Sequence, residues 1–182
     1  MKKTVAVIGS RGAIGNAVVD TLLADESVEA VFKFSRAEIT EHDDKVKHIF
    51  IDIEDEESIK QATESLPEDT KFDLIFVATG ILHDEKNVFP EKSIKDISFD
   101  KLIKVLTINT IGPTLVGKYF IPYLRKDSKS TFAFLSARVG SISDNKLGGW
   151  YSYRASKTAL NQIIRNFSIE VARSNKNAIF IG

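Results

Sequence analysis

Short runs of consecutive apolar residues, rich in β-branched side chains, alternate along the chain with longer stretches in which apolar positions recur at helical spacing. The runs predict strands at Thr4–Ile8, Ala30–Ser35, Lys47–Ile51, Leu74–Ala78, Ser130–Leu135 and Ala178–Ile181. The amphipathic stretches predict helices at Ile14–Ala24, Glu56–Ser65, Phe99–Arg125 and Tyr151–Arg173. Alternation of this kind is what parallel strands joined by crossover helices produce, so the expected fold is α/β, a doubly wound parallel sheet of Rossmann type. The near-continuous hydrophobicity of the strands predicts that both faces of the sheet are covered. No repeat or low-complexity linker breaks the pattern, and residues 1–182 read as one domain. A sixth strand begins at Ala178 and the sequence stops at Gly182, which would leave a sheet edge needing a partner. The expectation is therefore a C-terminally incomplete domain.

Composition narrows the chemistry. The 25 basic residues are matched by 25 acidic ones and scattered among them, which argues against an electrostatic nucleic-acid footprint. Cysteine is absent, excluding disulfides, thiolate catalysis and cysteine-ligated metal. The charged start Met-Lys-Lys is followed by an apolar run that ends at Gly9, too short for a signal or membrane segment. A cytoplasmic location and no membrane partner are expected. His42, His48 and His83 show no metal spacing and none neighbours a candidate nucleophile, so no metal site is expected. The acid-rich segment Asp52–Glu57 reads as a first helical turn favoured by the helix dipole.

Gly9-Ser10-Arg11-Gly12-Ala13-Ile14-Gly15 follows the first strand directly and opens the first helix. Glycine there lets the backbone turn tightly and approach a pyrophosphate, while the helix N-terminus supplies N–H donors. The end of the second strand, about 20 residues beyond Gly15, is where a ribose-recognising group is expected. Ser35 and Arg36 stand there in place of an acidic residue. A guanidinium at that point suits a 2′-phosphate, with Arg11 adding positive charge, so NADP(H) is favoured over NAD(H).

Tyr153 and Lys157 are four residues apart in a helical pattern and share a face. Carbonyl reduction needs a proton donor beside the oxygen that gains charge. A free tyrosine, with pKa ~10, exchanges its proton poorly at neutral pH. A neighbouring ammonium stabilises the phenolate and turns the phenol into a usable general acid and base. Tyr151 has Ala155 at the corresponding position and lacks that partner. Trp150 and Phe89 are candidates for lining a substrate mouth, although aromatics at such positions commonly just pack.

Together these features resemble the short-chain dehydrogenase/reductase family over essentially the whole chain. Gly9 to Gly15 is similar to its G-x-x-x-G-x-G turn, with Ala13 in place of the middle glycine. Asp52-Ile53 resembles the pair that contacts adenine, and Gly80 ends a segment, Val77-Ala78-Thr79-Gly80, resembling Asn-Asn-Ala-Gly. Asn109, in Asn109-Thr110-Ile111-Gly112, resembles the asparagine that supports a proton relay. The runs Ser136–Ile142 and Gly148–Lys157 are most similar to the C-factor-type subgroup, linked by name to cell–cell signalling and related to carbonyl reductases.

The resemblance implies an NAD(P)-dependent oxidoreductase interconverting a small-molecule carbonyl and an alcohol. It implies catalytic roles for Tyr153, Lys157, Asn109 and a serine. Cofactor binding would fall to Gly9, Ser10, Arg11, Ile14, Gly15, Ser35, Arg36, Asp52, Ile53 and Gly80, with Tyr153 and Lys157. It also implies a homodimer or tetramer built through the two long helices. The pattern departs from the family at Val77 and Ala78, which replace asparagines, and at Ala137, where a carbonyl-polarising serine is usual. Ser136 is the nearest candidate for that role and Ser141 the alternative. The same departure keeps a second function open, a dinucleotide-binding signalling or sensing protein with little turnover.

Overall fold

The computed structural model describes residues 2–37, 44–84 and 88–182, so His42 lies outside the described residues. Six strands form a parallel sheet: β1 Lys3–Ile8, β2 Val28–Ser35, β3 Val46–Phe50, β4 Leu74–Val77, β5 Ser130–Phe134 and β6 Ala178–Ile181, in the order β3-β2-β1-β4-β5-β6. The chain reverses its direction of growth between β1 and β4, and a crevice opens there at the carboxyl ends of the strands. The helices are α1 Ala13–Ala24, α2 Glu56–Glu64, α3 Phe99–Leu106, α4 Gly112–Phe120 and α5 Tyr151–Val171.

Strand alternation divides the core. Val5 and Val7 of β1 turn to one face and pack with Val19 of α1 and Val28 and Val31 of β2. Ala6 and Ile8 turn to the other, where Ile59 of α2, Val116 and Phe120 of α4, and Leu160 and Ile164 of α5 close over them. Phe34 meets Phe120 edge-to-face, with ring centroids 5.1 Å apart. Coverage of both faces holds at the centre of the sheet and fails at its edges. Phe50 of β3 and Ile179 and Ile181 of β6 stand about half exposed. Their hydrophobicity resembles that of the central strands, so the pattern alone does not separate edge from centre.

The stretch expected as one helix from Phe99 to Arg125 is broken. A π-helical turn, Thr107–Ile111, separates α3 from α4, and a 3₁₀ turn at Ile121–Tyr123 ends the run. The extra residue in the π turn is held from outside the helix, by hydrogen bonds from Asn109 and Thr110 to other elements. The break therefore sits at the edge of the crevice and sets Asn109 behind its Gly80–Ile81 wall.

Candidate active site

The crevice begins at the turn after β1. Gly9 has φ 81°, and a Cβ there would stand 2.8 Å from Thr79 Cγ2, so only glycine fits both the backbone and the neighbour. Its N–H and that of Ser10 both donate to Phe34 O, at 2.9 and 3.2 Å. The buried Ser10 hydroxyl donates to the same carbonyl at 3.3 Å, so this side chain ties the turn to β2. Gly15, one turn into α1, lies against Gly9 O, and any Cβ would collide with that backbone. The helix consequently starts close against the strand, with its free N–H groups at the mouth of the crevice. Ile14 is half exposed beside it.

A cleft of about 480 Å³ runs from this turn along the strand ends. Arg11, Ser35 and Arg36 line one end, Ile53 and Glu54 the side, and Gly80 the other end. Ser35 donates to Ala37 O at 3.2 Å. Arg36 is largely exposed and lies 3.8 Å from Glu54, which is held more closely by Lys104 at 2.7 Å. Asp52 does not line the cleft: its carboxylate accepts from Glu54 N at 3.0 Å and shapes the loop that presents Ile53. Ile53 O in turn requires glycine at 112, where a Cβ would stand 2.7 Å away.

At the far end, Gly80 brings two groups together. A Cβ at Gly80 would lie 3.3 Å from Lys157 Nζ and 3.4 Å from Asn109 Oδ1. Asn109 is fully buried and grips the next residue in both directions, accepting from Ile81 N at 2.7 Å and donating to Ile81 O at 2.8 Å. Its second amide hydrogen goes to Ser156 Oγ at 3.0 Å, and Thr110 donates to Ser156 O at 2.8 Å. The π turn is thus bolted to α5, one residue before Lys157. Lys157 is 2% exposed and donates to Leu135 O at 2.7 Å. Burial holds its ammonium down at about 8. Its Nζ stands 5.8 Å from the centre of the Tyr153 ring.

Tyr153 is half-buried, and desolvation pushes its phenol above the ordinary tyrosine value. This reverses the expected lowering by Lys157. The cause is the loss of water around the phenol, while the Lys157 ammonium is engaged with Leu135 O. Ser136 lies elsewhere. Its hydroxyl donates to Asn161 Oδ1 at 2.6 Å, in a separate depression bordered also by Ser141, Asp144 and Gly182. Neither serine lines the cleft of Gly80.

Sequence patterning missed Glu54 and Lys104 beside Arg36, Ser156 behind Asn109, and Glu91. The last is buried and binds the first turn of α5 through Ser152. Each is a contact across tens of residues, and in the letters each was one more charged or small polar residue. Among the described residues, no group of three or more His, Asp or Glu is placed to hold a metal ion.

The donor set suits a dinucleotide: a glycine cradle that Cβ atoms would fill, helix N–H groups for a pyrophosphate, an apolar side wall, and a lysine at the far end. Comparison with known proteins places the chain in a family. The family described as short chain dehydrogenase matches residues 3–181. The 1-hydroxy-2-glutathionyl-2-methyl-3-butene dehydrogenase of a Rhodococcus species is 27% identical over 180 residues, covering 98% of this chain and 75% of that protein. The C-signal protein of Myxococcus xanthus is 34% identical over 79 residues, 43% of this chain and 48% of that one. An NADPH-bound carbonyl reductase from chicken fatty liver shares the fold, with a TM-score of 0.82 at 23% identity over 98% of this chain and 74% of that chain.

Proposed function

The chain belongs to the short-chain dehydrogenase family of NAD(P)-dependent oxidoreductases, and from that premise we propose that it interconverts a small-molecule carbonyl and an alcohol with Tyr153 as general acid and base. The observation that carries this reading is the meeting of Gly80, Asn109 and Lys157 at the end of the dinucleotide cleft, with Tyr153 one turn of helix away. The nicotinamide supplies or accepts the hydride when bound. Gly9, Gly15 and the N–H groups at the start of α1 would hold the pyrophosphate, Ile53 would flank the adenine, and Lys157 would hold the nicotinamide ribose. Arg36, with Arg11, favours the 2′-phosphate of NADP(H) over the free hydroxyl of NAD(H).

The proton is handled by the chain itself. Desolvation holds the Tyr153 phenol in its neutral form, and for it to give that proton to the carbonyl oxygen during reduction the Lys157 ammonium must bear the phenolate charge that forms. Lys157, charged below about pH 8, offsets the negative charge left on the phenolate. Asn109 acts as a positioning residue for the relay, because it fixes the Gly80–Ile81 wall beside Lys157. Ser136 and Ser141 remain the candidates for orienting the carbonyl, and either would have to leave its present hydrogen bonds to do so. Removing an oxyanion-type donor typically costs about 2.7–4 kcal/mol of transition-state stabilisation. That engagement, with Ala137, is what favours a second reading: a dinucleotide-binding signalling or sensing protein of little turnover.

Steady-state oxidation of NADPH with a panel of aldehydes and ketones separates the two. The oxidoreductase reading expects carbonyl-dependent turnover. Cofactor binding by calorimetry with no turnover on any carbonyl supports the sensor instead. We further propose a homodimer or tetramer formed through the helices around α3 and α5, and a cytoplasmic location.

A further inference from the structure

The approach to α5 is strained at one residue. Gly148, Gly149 and Trp150 all have positive φ, at 66°, 65° and 52°. Glycine takes this conformation freely, whereas a residue with a large side chain adopts it only under strain. Such a conformation persists only where its surroundings over-determine it, and here Glu91 does so. Glu91 O accepts from Trp150 N at 2.6 Å. Its carboxylate accepts from Ser152 N at 3.2 Å and from the Ser152 hydroxyl, and both side chains are 2% exposed. One residue from the loop after β4 therefore grips the chain on both sides of the indole, and also caps a helix whose own N-cap side chain makes no hydrogen bond. The indole is set edge-on to the Tyr153 ring, with centroids 6.3 Å apart and planes at 74°, yet 38% of Trp150 stays exposed. A packing tryptophan would be buried, and a solvent-facing one would need no strained backbone.

Resting on the reading of Tyr153 as the proton donor, we propose that Trp150 is the apolar wall of the substrate site, selecting carbonyl compounds with an aryl group next to the carbonyl. The partly exposed indole beside the phenol offers such a group an apolar, aromatic surface.

Trp150 is the chain's single tryptophan, so its fluorescence reports on this wall alone. In the Tyr153→Phe protein saturated with NADP⁺, acetophenone should quench it saturably after inner-filter correction, and propanal at equal concentration should not. Trp150→Gly and Trp150→Asn, both compatible with a left-handed backbone, should lower the ratio of kcat/KM for acetophenone over propanal by about tenfold or more, chiefly through KM. Absence of saturable quenching, or an equal change for both carbonyls in the variants, overturns the proposal. Quenching without turnover in the wild-type protein would contradict the oxidoreductase reading and leave the wall standing. Turnover without quenching would do the reverse.

Discussion

At the scale of single residues, burial governs the site. Among the described residues Lys157 pairs with no carboxylate; it sits under the sheet ends and donates to the Leu135 carbonyl, and its proton is held at about 8 against 10.5 for a free lysine. The folded protein thus releases this proton more readily than the unfolded chain. Ammonium burial opposes folding in full below about pH 8, and the opposition fades as pH rises towards 10.5. At about 1.4 kcal/mol per pKa unit, Lys157→Met should stabilise the protein at pH 7 by about 1–3 kcal/mol, after the lost bond to Leu135 O is set against the gain. Urea unfolding checks this: the advantage should shrink between pH 8 and pH 10, and a variant less stable at pH 7 would contradict it. The same titration should make carbonyl reduction fall as pH rises through about 8, followed in a kcat/KM profile. Arg36→Ala should weaken NADPH binding by about tenfold or more while changing NADH little, read by calorimetry. Equal losses for both cofactors would remove Arg36 from 2′-phosphate recognition. The tyrosine–lysine spacing was legible in the sequence because one helix carries both residues. The direction of the Tyr153 shift was not, because it depends on how much water the fold removes from the phenol.

At the scale of elements, local chemistry was legible and long-range bolting was not. The glycine turn announced itself by lying between an apolar run and an amphipathic one, and Gly15 lies against the Gly9 carbonyl as close strand–helix packing demands. Gly15→Ala should therefore cost about 1–3 kcal/mol in thermal or urea unfolding and abolish dinucleotide binding. Full retention of binding would show that the turn does not cradle the cofactor. The stretch from Phe99 to Arg125 reads as one helix because nothing within it dictates a break before Pro113. The π turn is imposed by Ile81 and Ser156, residues that Asn109 meets only in the folded chain. Asn109→Ala should strip partners from both backbone groups of Ile81 and cost about 2 kcal/mol or more, measured by urea unfolding. The Glu91 clamp is equally invisible from the letters, since 61 residues separate it from Ser152.

At the scale of the whole molecule, alternating strand and helix patterns were enough to anticipate a parallel doubly wound sheet, and the order β3-β2-β1-β4-β5-β6 places the crevice where β1 and β4 diverge. The pattern overstated coverage at β3 and β6, because an apolar edge strand and an apolar central strand look alike in one dimension. Phe99 and Ile103 lie one helical turn apart on α3 and are exposed, at 76% and 48%. If the helices form a subunit contact, replacing both by glutamate should yield a monomer by sedimentation with little change in unfolding midpoint. An unchanged sedimentation coefficient would place the contact elsewhere. The central claim is that this fold delivers hydride to a carbonyl while Tyr153 delivers the proton. The most direct measurement is transfer of deuterium from NADPH carrying deuterium at both C4 positions to the carbonyl carbon, followed by mass spectrometry of the alcohol. The wild-type protein should place one deuterium on that carbon, and Tyr153→Phe should do so about 10²–10⁴-fold more slowly. Undiminished transfer in Tyr153→Phe, or an alcohol formed without the label, would contradict the account.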